Sequence, residues 1–362
     1  MTHDWNYDGH KILWYLDRVA RLQVGEPCAP VHLNMDLLTT CNHRCKFCIN
    51  LFEGDNDLYR HLGGKGVVIF PYQRIPSLFA ELQAIGLKAI SFSGGDPFCH
   101  PQFGDIVALA FACGFRVGII TNGTQITDAF LANTAPWWTV EDWIRLSVNA
   151  ATPELYQQLN GTHVAFTTVL DILRSLCART AATVGAGMVI CSANTEELEQ
   201  FAEIMAEVGV AAIRYTLDTC SPLHVVESEV VSLLPRLQAI QSRYAGRIHV
   251  YESVSRRLSP TKIYPSCYQH HLAPKLLADG RLAICCQRQW ETAQCYGNVL
   301  TSSFADIWYG EARRHFLATF DLATCPPCQF DARNETMHQP LTVLQRLAHA
   351  SSASRPLHTE FL

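Results

Sequence analysis

Long apolar runs and long basic runs are both missing from this chain of 362 residues. No stretch reaches the roughly 20 apolar residues that a membrane-spanning helix requires. The formal charge is -5, and no block of Lys and Arg is long enough to form a polyanion-binding stripe. The first residues, Met1-Thr-His-Asp-Trp, lack the charged and then apolar pattern of a signal peptide. We therefore expect a cytoplasmic protein whose partners are neither membranes nor nucleic acids.

Cysteine, in contrast, is frequent, and its spacing is informative. The chain has 15 cysteines, an odd number and too sparse for a disulfide scaffold. Cys41, Cys45 and Cys48 fall within eight residues. Such a run can hold three irons of a cubane cluster and leave the fourth iron open to a ligand. Half of a zinc site or part of a disulfide framework would also fit the spacing, although clustered thiols without a signal peptide favour metal.

Short apolar segments alternate with helical patterns through the first 217 residues. Helical spacing predicts helices over 9–22, 74–85, 103–113, 127–133, 164–178 and 195–207. Strands are predicted at 31–38, 89–93, 116–120, 143–148, 185–190 and 211–215. Strands that alternate with helices form parallel sheets, and in parallel barrels the sites lie at the carboxyl ends of the strands. We therefore expect an α/β fold with six parallel strands and a site at those ends.

The cysteine run resembles the signature of the radical S-adenosylmethionine (radical SAM) enzymes. The resemblance implies a partial (β/α)6 radical SAM barrel and a [4Fe-4S] cluster on Cys41, Cys45 and Cys48. It also implies that SAM chelates the open iron and is cleaved to methionine and a 5′-deoxyadenosyl radical, which abstracts a hydrogen atom from a substrate. A reducing electron donor such as flavodoxin or ferredoxin is then required.

Motifs at further strand ends are similar to those of the same family. Gly94-Gly95-Asp96-Pro97 looks like its Gly-Gly-Glu-Pro motif, which binds the SAM amino group, with Asp96 in place of the usual Glu. The resemblance implies that further SAM contacts are made by Phe47, Thr121, Asn122, Ser147 and Asn149. Taken without the cysteine run, the same segments also fit ordinary turns and packing positions.

A second group of cysteines lies near the C-terminus. Cys267, a hairpin from Gly280 to Cys285, and Cys325-Pro-Pro-Cys328 resemble the C-terminal SPASM extension in its shortened form, twitch. The resemblance implies that Cys267, Cys285, Cys325 and Cys328 hold a second, fully coordinated [4Fe-4S] cluster. A four-cysteine zinc site is the alternative, and Cys286 could replace Cys285 as a ligand.

Together these patterns predict five segments. They are an N-terminal helical extension (1–29), the radical SAM core barrel (30–220), a linker helix region (221–259), the twitch domain with its small β-hairpin and helix (260–335) and a C-terminal tail (336–362) with a short helical pattern at Leu341, Leu344 and Leu347.

The second half of the reaction is less well defined by the sequence. Oxidation would use the second cluster as an electron acceptor, whereas epimerisation would need a thiol as hydrogen-atom donor, for which Cys99 and Cys220 are candidates. Simple packing is the alternative for both thiols. Arg214, Tyr215 and His224 are candidates for binding a polar substrate, and a solvated or packing role is the alternative for each.

The substrate is expected to be a small-molecule or carbohydrate natural product, because about 30 residues before the first strand are too few for the peptide-recognition domain of peptide-modifying relatives. A peptide maturase is the alternative function, and a non-catalytic iron–sulfur or zinc protein is a third.

Overall fold

The computed structural model describes residues 9–52, 66–257, 262–289, 291–340, 342 and 358–362. Within these residues, ten strands form one sheet in the order β10-β9-β8-β1-β2-β3-β4-β5-β6-β7. The strands are β1 His32–Asp36, β2 Ala89–Ser93, β3 Arg116–Thr121, β4 Trp143–Ser147, β5 Thr183–Ile190, β6 Ala212–Leu217, β7 His249–Glu252, β8 Lys275–Leu276, β9 Arg281–Ala283 and β10 Cys295–Asn298.

Strands β1 to β7 run parallel to one another and form the open barrel. Alternation along these strands separates two faces. Leu33, Met35, Ile90 and Phe92 are fully buried in the main apolar core. The alternate positions, such as Asn34 of β1, line a cavity inside the barrel together with polar side chains of β2, β4 and β6. The barrel therefore has an apolar outer face and a polar interior.

Helices connect the strands and cover the apolar face. They are α1 Leu16–Gln23, α2 Ile49–Phe52, α3 Ile75–Ala84, α4 Phe103–Ala112, α5 Asp128–Thr134, α6 Pro153–Asn160, α7 Phe166–Arg179, α8 Leu198–Val208, α9 Glu227–Tyr244, α10 Val254–Arg257, α11 Gln269–Leu272, α12 Phe304–Trp308, α13 Glu311–Thr319 and α14 Asp331–His338. Helix α7 shows why they form, because its buried Phe166, Val169, Leu170, Leu173 and Leu176 recur at helical spacing on one side.

The six predicted strands are confirmed, and the sheet continues beyond them. Helix α9 leads into β7, a seventh parallel strand that pairs with β6. The predicted linker region 221–259 thus adds a strand to the barrel. The pattern was not recognised because each residue of β7 is only partly buried. The predicted helix at 9–22 begins as a 3-10 helix over Gly9–Tyr15 and becomes α-helical at Leu16.

The C-terminal hairpin extends the same sheet from its other edge. Strand β8 pairs in parallel with β1, and β9 and β10 follow in antiparallel order. The pairing is fixed by a buried ion pair in which Lys275 Nζ lies 2.5 Å from Asp36 Oδ1. The cysteines of the C-terminal region are therefore attached directly to the barrel strand that leads into Cys41.

The last described residues, 358–362, lie at the opposite, amino-terminal end of the strands. His32 at the start of β1 bonds Leu362 O through Nδ1 at 2.8 Å and Ser91 Oγ through Nε2 at 2.9 Å. Phe361 packs edge-on against Trp143 at the start of β4, with 5.5 Å between ring centroids. The helical pattern predicted at Leu341, Leu344 and Leu347 lies outside the described residues.

Candidate functional site

The loop after β1 places Cys41, Cys45 and Cys48 around a cavity of about 370 Å³ at the carboxyl ends of the strands. Backbone bonds fix the loop to the end of α6, since Arg44 N–H donates to Asn160 O at 3.1 Å and Lys46 N–H to Leu159 O at 2.9 Å. Gly161 adopts the left-handed conformation directly after this helix, and a Cβ there would lie 2.3 Å from Arg44 O. The loop is therefore held in place by the protein itself.

Polar groups lie within hydrogen-bond distance of the sulfurs of this loop. Cys41 Sγ accepts from His43 N–H at 3.4 Å and from Asn122 Nδ2 at 3.7 Å. Cys45 Sγ lies 3.6 Å from Asn160 Oδ1. Burial raises the pKa of the Cys41 thiol to about 12 and also raises the pKa of Cys45 and Cys48. The thiols are thus protonated in the metal-free chain, and each must release its proton when it binds iron.

His43 provides a test of whether this cavity fits an iron–sulfur cluster. The side chain is only 3% exposed, and neither ring nitrogen has a hydrogen-bond partner among the described residues. A buried polar group without a partner costs about 1–3 kcal/mol, so such a group calls for an explanation. A cluster whose sulfurs can accept hydrogen bonds would supply a partner, and three thiols with an orphaned imidazole fit that group.

The Gly94-Gly95 turn lies directly against the start of the cysteine loop. Gly95 N–H donates to Leu38 O at 2.8 Å and Asp96 N–H to Thr40 O at 2.9 Å. Gly94 has a φ of +125°, and a Cβ on Gly95 would lie 1.8 Å from Thr40 O. Both positions therefore require glycine, which permits the close approach of the two backbones.

Asp96 is bound mainly by the protein. Its carboxylate accepts hydrogen bonds from Thr121 Oγ1 at 2.9 Å, Asn122 N–H at 2.7 Å and Phe98 N–H at 3.1 Å. Burial raises its pKa to about 6, against the lowering effect of these bonds. The shorter side chain thus joins the turn after β2 to the end of β3. A SAM contact of Asp96 stays a prediction.

Eight of the nine predicted SAM contacts line the first cavity. They are Phe47, Gly94, Gly95, Asp96, Thr121, Asn122, Ser147 and Asn149. Pro97 is buried but does not line the cavity. Asn149 has a φ of +68°, and its side chain bonds Asn160 Oδ1 at 2.9 Å and Val189 N–H at 3.0 Å. It therefore also stabilises the fold around the site.

The four predicted ligands of the second cluster also come together. Cys267, Cys285, Cys325 and Cys328 line a separate small cavity in the C-terminal region. Burial raises the pKa of Cys267 to about 11 and that of Cys328 to about 12. The neighbouring Cys286 lines the barrel interior instead. Cys285 thus lines the cavity of the other three cysteines and Cys286 does not, and the ligand set itself stays a prediction.

The barrel interior forms the third cavity, of about 460 Å³. It shares Arg145, Arg214, Gln287 and Gln329 with the first cavity, so the two cavities adjoin at these residues. Arg214 Nη2 donates to Gln329 Oε1 at 2.5 Å, and its guanidinium lies over the ring of Tyr251 at 5.5 Å. Its Nε is buried and has no hydrogen-bond partner within the part of the chain that the structure describes. An anionic group on a bound molecule would supply the missing acceptor.

The remaining candidates for a hydrogen-atom donor or a substrate contact lie in different places. Cys220 lines the first cavity, whereas Cys99 does not and packs against the apolar core. Tyr215 is fully buried and donates to Leu198 O at 2.7 Å on the outer side of the barrel, so its predicted substrate role is wrong. His224 bonds Ser221 O and lines none of the three cavities.

None of the helices in the described residues has the length and apolar composition that a membrane crossing requires. In the same ranges, no three His, Cys, Asp or Glu side chains are arranged to hold a single metal ion.

Comparisons with known proteins agree with this geometry. The model of the radical SAM superfamily matches residues 35–205, and the SPASM model, an iron-sulfur cluster-binding domain, matches residues 267–329. Because the second model describes an iron-sulfur cluster-binding domain, it favours an iron–sulfur cluster over zinc in the C-terminal region.

Individual relatives are more distant. The mycofactocin maturase MftC of Mycobacterium tuberculosis (strain ATCC 25618 / H37Rv) is 25% identical over 213 residues, which cover 57% of this chain and 51% of MftC. An S-adenosylmethionine-dependent nucleotide dehydratase of Lacinutrix mariniflava is 30% identical over 122 residues, which cover 34% of this chain and 24% of that protein. The chain thus spans about half or less of these relatives.

The fold is also found among solved structures. Streptococcus suis SuiB bound to precursor peptide SuiA has a TM-score of 0.65 at 12% identity, and the match covers 84% of this chain and 70% of that chain.

Proposed function

Because this chain belongs to the radical SAM superfamily and carries a C-terminal iron-sulfur cluster-binding domain, we propose that it is a maturase that oxidises a peptide. The observation that carries the oxidation in this proposal is the position of Gln287, which lines the first cavity, the barrel interior and the second cysteine cavity. A substrate group that enters the barrel mouth thereby lies between both cysteine sites.

The cofactors are SAM, a [4Fe-4S] cluster and an additional iron–sulfur cluster, and they supply hydrogen-atom abstraction and electron transfer. We assign Cys41, Cys45 and Cys48 to the first cluster and Cys267, Cys285, Cys325 and Cys328 to the second. The Gly94-Gly95 turn leaves room for SAM beside the first cluster, and Ser147 and Asn122 offer polar groups to it. A one-electron donor such as ferredoxin or flavodoxin completes the set.

The relatives favour a peptide over the small molecule or carbohydrate expected from the sequence. MftC is named as a maturase, and the SuiB structure holds a precursor peptide. Oxidation is favoured over epimerisation because four cysteines leave no open iron at the second site, which suits electron transfer. Cys220, the predicted donor thiol that lines the first cavity, is the residue that an epimerisation would use.

A small anionic substrate is the second candidate. The barrel interior of about 460 Å³ is large enough for a small molecule, and Arg145 and Arg214 line it near the first cavity. The similarity to a nucleotide dehydratase supports this candidate.

Isotope transfer separates the two functions. Reconstituted enzyme would be incubated anaerobically with SAM, a reductant and either deuterated precursor peptides encoded beside its gene or deuterated nucleotides and aminocyclitols. Deuterium in 5′-deoxyadenosine from a peptide supports the maturase, and deuterium from a small molecule alone supports the second candidate. A reconstituted protein that does not cleave SAM would contradict both.

A further inference from the structure

The second cysteine site contains a cation that the reaction outlined above does not use. Arg288 is only 7% exposed and lies three residues after Cys285. Its Nη1 donates to Cys325 Sγ at 3.6 Å and to Thr324 Oγ1 at 2.8 Å. A guanidinium thus points directly at a sulfur that we assign as a cluster ligand.

Glu291 fixes the orientation of this guanidinium. Arg288 Nη2 donates to Glu291 Oε2 at 2.5 Å, and Nε donates to Oε1 of the same carboxylate. The two-pronged pair holds the plane of the guanidinium and leaves Nη1 for the sulfur. Thr324 and Glu291 therefore hold the guanidinium in place, and Nη1 stays in contact with Cys325 Sγ.

Other sulfurs of the second site also accept hydrogen bonds. Cys328 Sγ accepts from Phe330 N–H at 3.4 Å, and Cys267 Sγ accepts from Asn334 Nδ2 at 3.5 Å. At the first site, the donors to Cys41 Sγ are the amide groups of His43 and Asn122, which are neutral. The donor to Cys325 Sγ is, in contrast, the positively charged guanidinium of Arg288.

Hydrogen bonds to the sulfurs and the charge around a cluster set its reduction potential. A donor or a cation beside a ligand sulfur stabilises the reduced, more negative cluster and raises the potential. We propose that Arg288 is a positioning residue that raises the reduction potential of the second cluster and so suits it to accept an electron. This proposal rests on the proposed function, in which the four C-terminal cysteines hold that cluster.

The test is a redox titration of the reconstituted holoenzyme, followed by electron paramagnetic resonance. In Arg288→Met, the second cluster should have a potential lower by at least 59 mV, a tenfold change in a one-electron equilibrium constant. Glu291→Gln keeps an acceptor for the guanidinium and removes the opposing charge, so the potential should rise. Arg281→Gln is the matched control, because Arg281 pairs with Asp279 on the same hairpin, and it should leave the potential unchanged. The first cluster should not respond in any variant.

The outcomes separate this assignment from the proposed function. A wild-type protein with only one cluster would contradict both. If wild type, Arg288→Met and Glu291→Gln all hold two clusters and the second cluster has the same potential in all three, the role of Arg288 is contradicted. The proposed function is then unaffected. Arg288→Met could lose the second cluster and hold only about four irons. In that case Glu291→Gln is the test, because it leaves Arg288 in place. If the potential of the second cluster does not rise in Glu291→Gln, the proposal is overturned.

Discussion

Thr121 Oγ1 lies 2.9 Å from both carboxylate oxygens of Asp96, and this contact joins the end of β3 to the turn after β2. Both residues are buried. The carboxylate of Asp96 also accepts from Asn122 N–H, directly after β3, and from Phe98 N–H in its own turn. Thr121 therefore stabilises the turn that contains Gly94 and Gly95.

Thr121→Val should therefore destabilise the fold and weaken SAM binding. The variant keeps the shape of the side chain but removes one donor to a buried carboxylate, which costs about 1–3 kcal/mol. The free energy of unfolding from urea titrations and the SAM dissociation constant measure both effects. Thr121→Ser keeps the hydroxyl and is the control. Equal stability and SAM affinity in both variants would contradict the role of this bond.

Cys285 and Cys286 should differ sharply despite being neighbours. Cys285→Ser should reduce the iron content after reconstitution from about eight to about four per chain, because it removes one ligand of the second cluster. Cys286→Ser should keep about eight, because its thiol lines the barrel interior. Iron and sulfide analysis with electron paramagnetic resonance measures this difference. The reverse pattern would show that Cys286 is the ligand.

Arg214→Met should separate SAM cleavage from product formation. The guanidinium lies in the wall shared by the first cavity and the barrel interior, and a charged hydrogen bond to substrate contributes about 1.5–3 kcal/mol. We expect substrate turnover, measured at subsaturating substrate, to fall about 10- to 100-fold, while SAM cleavage without substrate stays unchanged. Arg174→Met, at an exposed ion pair with Asp171, is the control. An equal loss of SAM affinity in Arg214→Met would mean that Arg214 binds SAM instead.

His32 should make the metal-free protein less stable in acid. Burial lowers the pKa of this imidazole from 6.5 to about 4, so its neutral form is favoured by folding. The contribution is complete above pH 6.5 and is lost as the pH falls towards 4. This lowering of the pKa corresponds to about 3 kcal/mol of stability.

Urea titrations at pH 7 and pH 4.5 measure this loss. His32→Gln should lose less stability between the two pH values than wild type, because glutamine does not titrate. Identical losses in the two proteins would contradict the assignment to His32.

Much of this architecture could be predicted from local patterns. The cysteine run and the Gly94 turn follow short apolar strands, and parallel strands bring their carboxyl ends together. Alternation within β6 also predicts that Arg214 faces the barrel interior if Tyr215 faces the helices. The pattern does not distinguish Cys285 from Cys286, since both follow the last residue of β9.

Long-range contacts could not be predicted in this way. Lys275 and Asp36 are 239 positions apart, and no local spacing relates them. The position of Arg288 beside Cys325 depends in the same way on how the hairpin folds against the closing cysteine pair. The sequence does not predict strand β7 because each of its residues is only partly buried and the strand lacks a clear apolar face.

The most direct test of the two-site account is a comparison of cysteine variants by iron content and SAM cleavage. Wild type should hold about eight irons and release 5′-deoxyadenosine under reduction. The triple variant Cys41→Ala, Cys45→Ala, Cys48→Ala should hold about four irons and cleave no SAM. The double variant Cys325→Ala, Cys328→Ala should hold about four irons and still cleave SAM, but should form no product. SAM cleavage by the triple variant, or full product formation by the double variant, would contradict the account.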